Sequence, residues 1–180
     1  MSTGTLLAII IPIVVVLAVV AAAAFVVSRR RRLRERFGPE YERTVEDSGS
    51  RLAAERELSE REKRHGELDI RPLTGDARER YSRDWQRVQS EFVDRPEDAV
   101  QDADLLVASL MRERGYPTEN LNQRIRDLSV EHGRTIEHYR AAHEVDQLSM
   151  KHQATTEQLR GAMVHYRALF DELLSDHGQR

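Results

Sequence analysis

The chain has 180 residues, 39% hydrophobic and 33% charged, with a net charge of −3 and no cysteine. The missing cysteine excludes disulfides, thiol nucleophiles and Cys-based metal sites. Residues 1–28 carry no charge, residues 29–37 carry +5 and residues 38–180 carry −8, an acidic body that argues against nucleic-acid binding, which normally shows a basic face.

Residues 1–5 form a short polar tail. Leu6 to Val27 follows as 22 residues without charge or side-chain hydrogen-bonding group. As a helix it reaches about 33 Å, enough for a hydrocarbon core of about 30 Å. Two readings compete. One is a permanent transmembrane helix over 6–27. The other is a secretory signal cut after an A-x-A-like site such as Ala22-Ala23-Ala24. A secretory signal has a positive n-region and an apolar core of about 7–15 residues. Met1 to Thr5 has no basic side chain, and the apolar run is longer. The positive charge lies on the far side, and Arg-rich flanks stay cytoplasmic. The expectation is a single span in the cytoplasmic membrane, N-terminus outside and C-terminal domain in the cytoplasm. Pro12 lies near the helix end, where its missing donor costs least. Ala18 and Ala22 make a small-xxx-small pair that an Ala-rich segment produces by chance.

Residues 28–37 are a basic juxtamembrane collar of Arg29, Arg30, Arg31, Arg32, Arg34 and Arg36. Its first use is topology and interfacial anchoring. A sharper use is attraction of anionic lipid, at about 1 kcal/mol per basic residue near the surface.

Residues 38–67 read as a charged, partly helical spacer. Phe37-Gly38-Pro39 breaks direct continuation of the membrane helix. Tyr41 to Asp47 suits a short helix, and Ser48-Gly49-Ser50 interrupts it. Residues 51–65 are strong helix formers with only Leu52 and Leu58 as large apolar residues, so a solvated helix is expected. Glu57/Arg61 and Glu60/Arg64 support it at i,i+4, with Gly66 at C′.

Residues 68–176 read as a small antiparallel helical bundle, and 177–180 as a tail. Leu68 to Leu73 is an extended entry. A first helix opens at Asp76 with Glu79 in a capping-box-like pair and presents Tyr81, Trp85, Val88 and Phe92. Asp94 is the expected cap of a second, with Pro96 in its first turn and Ala99, Ala103, Leu106 and Leu110 on its face, Val107 and Met111 beside it. Thr118 is the expected cap of a short helix carrying Leu121, Ile125 and Leu128. Another starts near Ser129 and runs to about Leu148, its start blurred by Gly133. Thr155 and Gln158 cap the last, which carries Leu159, Met163, Tyr166, Phe170 and Leu173. No stretch alternates with period two, so no sheet is expected. The fold class is all-α: one transmembrane helix, a charged spacer helix and a bundle.

Candidate chemistry is sparse. His132, Ile136, Tyr139 and His143 share a helix face, but the two histidines are too far apart for one metal. His138 and His143 fall on different faces, and His-Glu-x-x-His spacing is absent. No metal or cofactor is expected. His-Tyr-Arg-Ala occurs at 138–141 and again at 165–168, read as one packing solution used twice. Trp85, with Tyr81 and Phe92, reads as core. No catalytic constellation stands out.

Several stretches resemble a family of uncharacterised bacterial single-pass membrane proteins: Arg36-Phe37-Gly38-Pro39-Glu40-Tyr41, Leu68 to Leu73, the Tyr81, Trp85, Gln89 and Phe92 to Pro96 stretch, Arg114-Gly115-Tyr116-Pro117, Leu128-Ser129-Val130 and His165 to Phe170. The resemblance spans nearly the whole chain. It implies a bacterial cytoplasmic membrane and a helical body, and brings no activity or catalytic residues. The expected function is a non-enzymatic, membrane-anchored interaction or scaffold domain. Its partners are the bilayer, with anionic lipids as candidates, and an unidentified protein; no nucleic acid is expected, and the oligomeric state is open. The alternatives are a ligand-binding or enzymatic bundle with a pocket near Trp85 and Tyr166, or an exported envelope domain if the topology is reversed.

Overall fold

The computed structural model describes residues 3–175 as eight helices, with no strand among the described residues. The chain is all-α, as its patterning requires. Residues 1–2 and the expected tail at 177–180 lie outside the described residues.

Helix α1 spans Thr3–Phe37 and includes Pro12. It runs without interruption through the apolar segment and the collar. Its part from Ile11 is long and apolar enough to cross a membrane, and its apolar window is not buried against the rest of the chain. Gly38 ends it at φ 53° and ψ −128°, a positive-φ conformation that costs glycine least. Pro39 then opens α2 (Pro39–Ser48), where its lost N–H would have no helical partner anyway. Gly49, at φ 61°, turns the chain into α3 (Arg51–His65). Gly66 follows as expected, but in the right-handed conformation.

The expectation of a solvated spacer fails here. Leu33, Phe37, Tyr41 and Leu58 are buried together with Val130 of the bundle. Ala54 and His65 are buried too, whereas Leu52 is 74% exposed. The spacer is therefore a helical hairpin packed on the collar, and its apolar face is Ala54-Leu58-His65, at steps of four and seven.

The bundle is built by α4 (Gly75–Glu91), α5 (Pro96–Glu113), α6 (Leu121–Leu128), α7 (Ile136–Ser149) and α8 (Thr156–Ser175). Tyr81, Trp85, Val88, Ala99, Ala103, Val107, Leu110 and Met111 are buried with Leu159, Ala162, Tyr166, Phe170 and Leu173 in one core. Trp85 stacks on Phe170 at 4.7 Å between ring centroids. Phe92 and Leu106 are only partly buried at its edge.

The caps differ from expectation at three helices. Thr74, not Asp76, caps α4 by accepting from the Ala77 N–H at 3.2 Å. Arg95 occupies the cap of α5 without a side-chain bond, because the turn over 91–95 places Asp94 one position too early. Asn120, not Thr118, caps α6 by accepting from the Gln123 N–H at 3.3 Å. The Thr155/Gln158 pair does form reciprocally, at 2.8 and 3.3 Å. The helix expected from Ser129 starts only at Ile136; residues 129–135 are turns that pass close to the end of α1.

Candidate functional site

The structure places all six collar arginines against the hairpin or α1 itself. Arg29 donates to Ser59 at 2.8 Å, and Arg31 to Glu35 at 2.8 Å. Arg32 and Arg36 both donate to Glu62, at 2.9 and 2.8 Å. Arg34 pairs with Glu42. Arg30 donates to the Tyr41 hydroxyl at 3.3 Å, which in turn donates to Glu55 at 2.9 Å. Most of these pairs are solvent-exposed and individually weak. Together they tie the basic helix to acids of its own chain, so lipid phosphates would compete with carboxylates already in place.

A stronger junction lies behind them. Glu40 is 1% exposed. Its Oε1 accepts from Arg61 at 2.9 Å and from Arg140 at 2.8 Å, and its Oε2 from Arg140 at 2.6 Å. Burial pushes the carboxyl up, but hydrogen bonds and charge from Arg140 and Arg61 outweigh it and hold it below the usual carboxylate range. One buried carboxylate thus joins α2, α3 and α7. Arg61 also carries the expected i,i+4 pair with Glu57 at 2.5 Å. The expected Glu60/Arg64 pair is replaced by Arg64 to buried Asp127 at 3.4 Å.

Between the end of the collar and the bundle lies a cavity of about 570 Å³, lined by Glu35, Arg36, Gly38, Val130, Glu131, Gly133, Arg134 and Glu172. A hydrogen-bonded chain runs behind its wall. The Tyr116 hydroxyl donates to Glu131 at 3.0 Å and lies 3.5 Å from His132 Nε2. His132 Nδ1 meets Glu172 at 2.7 Å, and Thr135 donates to the same carboxylate. His132 is therefore a satisfied, buried histidine. His65 Nε2 sits 3.7 Å from Glu131, and burial drives that imidazole toward its neutral form.

A second polar group is enclosed by the bundle. Tyr139 donates to Asp104 at 3.3 Å and accepts from Arg124; His143 Nδ1 approaches Asp104 at 3.9 Å. Burial pushes Asp104 up, but Arg124 and His143 hold it low. Asp146 has weaker support, the charge of His143 alone. Its Oδ1 finds no hydrogen-bond partner among the described residues, and burial, then the charge of Asp104, push it up. A carboxyl with a raised folded-state pKa withdraws stability as pH rises from its unfolded value, about 3.9, through the folded one. Asp146→Asn is therefore expected to be more stable by about 1 kcal/mol at pH 7, with the difference vanishing below about pH 4. Urea titrations at the two pH values check this; a less stable variant at pH 7 sinks the idea.

The repeated His-Tyr-Arg-Ala segments meet across α7 and α8. Tyr139 and Tyr166 pack edge to face at 6.1 Å, and His138 Nδ1 lies 2.9 Å from His165 Nδ1. The repeat therefore supplies facing core tyrosines and facing rim histidines. Trp85 and Tyr166 are 4% and 0% exposed and do not line the cavity described above; a separate hollow of about 230 Å³ lies beside them, lined by Gln89, Phe92, Arg160, Met163, Val164 and Arg167. Among the described residues no group of three or more His, Asp or Glu side chains is placed to hold a metal. Protein-family models, curated proteins and solved structures give no match to the chain.

Proposed function

We propose that the chain is a single-pass, membrane-anchored interaction or scaffold protein, without enzymatic activity, that faces the cytoplasm of a bacterium. It would be one of the bacterial single-pass membrane proteins whose motifs it resembles. The observation that carries this reading is the continuity of α1. The helix that begins in the apolar segment contributes Leu33 and Phe37 to a buried core shared with the bundle. A loose tether would only raise local concentration. A rigid one also fixes which faces of the bundle look toward the membrane and which toward a partner in solution. The collar supports the inward orientation of the bundle, since Arg-rich flanks are retained on the cytoplasmic side.

Thiol labelling of intact cells tests it, and the absence of native cysteine makes the background zero. Ser90 is exposed on α4. With a membrane-impermeant reagent, Ser2→Cys is expected to label in intact cells and Ser90→Cys only after lysis. Labelling of Ser90→Cys in intact cells would place the bundle outside and overturn the proposal.

A further inference from the structure

We propose that α3 is a second membrane contact: its outer face, formed by Leu52, Arg56 and Lys63, lies on the head-group surface beside the collar and binds anionic lipid. The inference rests on α1 spanning the bilayer, as proposed above, and not on which side of the membrane the bundle faces.

The packing of α3 decides where that face points. Its buried row, Ala54, Leu58 and His65, is turned toward the bundle. Leu58 is buried with Val130, and His65 Nε2 lies 3.7 Å from Glu131. The bundle meets α1 at Phe37, where the backbone of Gly133 passes. Phe37 lies ten residues beyond Val27, about 15 Å along the helix. Leu52, Arg56 and Lys63 stand at steps of four and seven. At about 100° per residue they project from the opposite side of α3, toward the apolar end of α1. Arg29 fixes the level. It lies two residues beyond Val27, about 3 Å along the helix, within a head-group layer about 5–8 Å deep. Arg29 donates to Ser59 at 2.8 Å, and Ser59 sits on the flank of the same face, between Arg56 and Lys63.

The chemistry of the face names the partner. A large apolar side chain beside basic ones is the pattern of a helix that lies in a membrane surface. Leu52 is 74% exposed. Arg56 and Lys63 are exposed, and their side chains meet no carboxylate among the described residues. Arg29 is held by a neutral hydroxyl. Glu55 and Glu62 of the same helix are turned to Arg30, Arg32 and Arg36. Glu60, at the edge of the row, offsets one of the three remaining positive charges. Anionic head groups supply what the other two lack. Most of the collar is engaged by carboxylates, so the attraction for lipid charge falls to this neighbouring face.

The test uses the chain's two lysines, Lys63 and Lys151. Both are exposed. Lys151 follows α7 in the bundle and serves as the internal standard. The full chain is placed in nanodiscs of phosphatidylcholine alone, or of equal parts phosphatidylcholine and phosphatidylglycerol, and briefly acetylated with acetic anhydride. Mass spectrometry reads the rate at each lysine. Lys63 is expected to slow at least threefold relative to Lys151 in the phosphatidylglycerol discs, and to regain its rate when salt is raised. Arg56→Glu and Leu52→Asp, both changes at exposed side chains, are each expected to abolish the protection while circular dichroism stays unchanged. Equal rates in the two kinds of disc, or protection that survives both substitutions, would overturn the proposal. A chain that does not enter the discs would instead overturn the reading of α1 as a span, and this inference with it.

Discussion

Glu40→Ala is expected to destabilise the protein by about 3–5 kcal/mol, the range for removing one partner of a buried ion pair. The carboxylate is almost fully enclosed and takes three hydrogen bonds from two arginines. Arg61 and Arg140 would be left facing one another, with Glu57 and Glu137 only partly compensating. The loss is also expected to be local before it is global. Trp85 is the only tryptophan and sits in the bundle core, so its fluorescence reports the bundle, whereas circular dichroism reports every helix. In the native protein the two melting curves should coincide. In Glu40→Ala the ellipticity should fall first, as α2 and α3 leave the bundle. Because the folded-state pKa of Glu40 is lowered, its stabilisation is present above the ordinary carboxylate value and is lost as pH falls through the folded one. The gap between native and variant should therefore narrow below about pH 4. A cost under about 1 kcal/mol at pH 7 would mean that the ion pairs merely repay their own desolvation.

The bundle was legible because its helices carry long apolar faces at steps of three and four. Tyr81, Trp85 and Val88, or Leu159, Met163, Tyr166, Phe170 and Leu173, can bury only one way. The juxtamembrane unit was not, and the reasons are specific. Leu33, Phe37 and Tyr41 recur at steps of four, but Gly38-Pro39 falls between them and signals a boundary. The chain does turn there, and the apolar row continues across the turn. Counting only large apolar residues in α3 set exposed Leu52 beside buried Leu58 and missed the face that Ala54, Leu58 and His65 share. Charged residues on a helix most often form a solvated face, yet Glu40 and Asp127 are buried with partners 21 to 100 and 63 residues away. Helical periodicity carries no information about such distant pairing. The collar arginines were found by composition alone, but composition does not reveal the Glu35, Glu42, Glu55 and Glu62 that occupy them. The cavity is formed by three separate segments, so no local pattern announces it. Gly133, which blurred a helix start, was the one visible sign that backbone would pass close there.

Replacing that glycine should have the second large effect. A Cβ on Gly133 would stand 2.4 Å from the Phe37 carbonyl oxygen, 2.9 Å from its carbon and 3.1 Å from the Ser129 oxygen. All three are backbone atoms and cannot rotate aside, and Gly133 does not adopt a positive φ. The expected cost of Gly133→Ala, about 2–4 kcal/mol, is therefore a matter of overpacking and not of conformational freedom. Gly161 provides the contrast, inside α8 with nothing within 4 Å of an added Cβ. Gly161→Ala should stabilise by about 0.5–1 kcal/mol, the ordinary gain in a helix interior. The consequence of Gly133→Ala should concentrate at the collar, because the clash lies between the end of α1 and the turn before α7. Trypsin can read this directly: the collar arginines are shielded by helix and by their acidic partners, and cleavage there should accelerate in Gly133→Ala but not in Gly161→Ala. If the collar stays protected and stability is unchanged, the backbones do not approach so closely, and the rigid link between the apolar helix and the bundle loses its main contact. If cleavage accelerates while Trp85 melts almost as before, the bundle folds without the collar. The close packing at Phe37 and Gly133 then serves to fix the attitude of the bundle relative to the apolar helix, which is the property the proposed scaffold role needs and a loosely tethered domain does not.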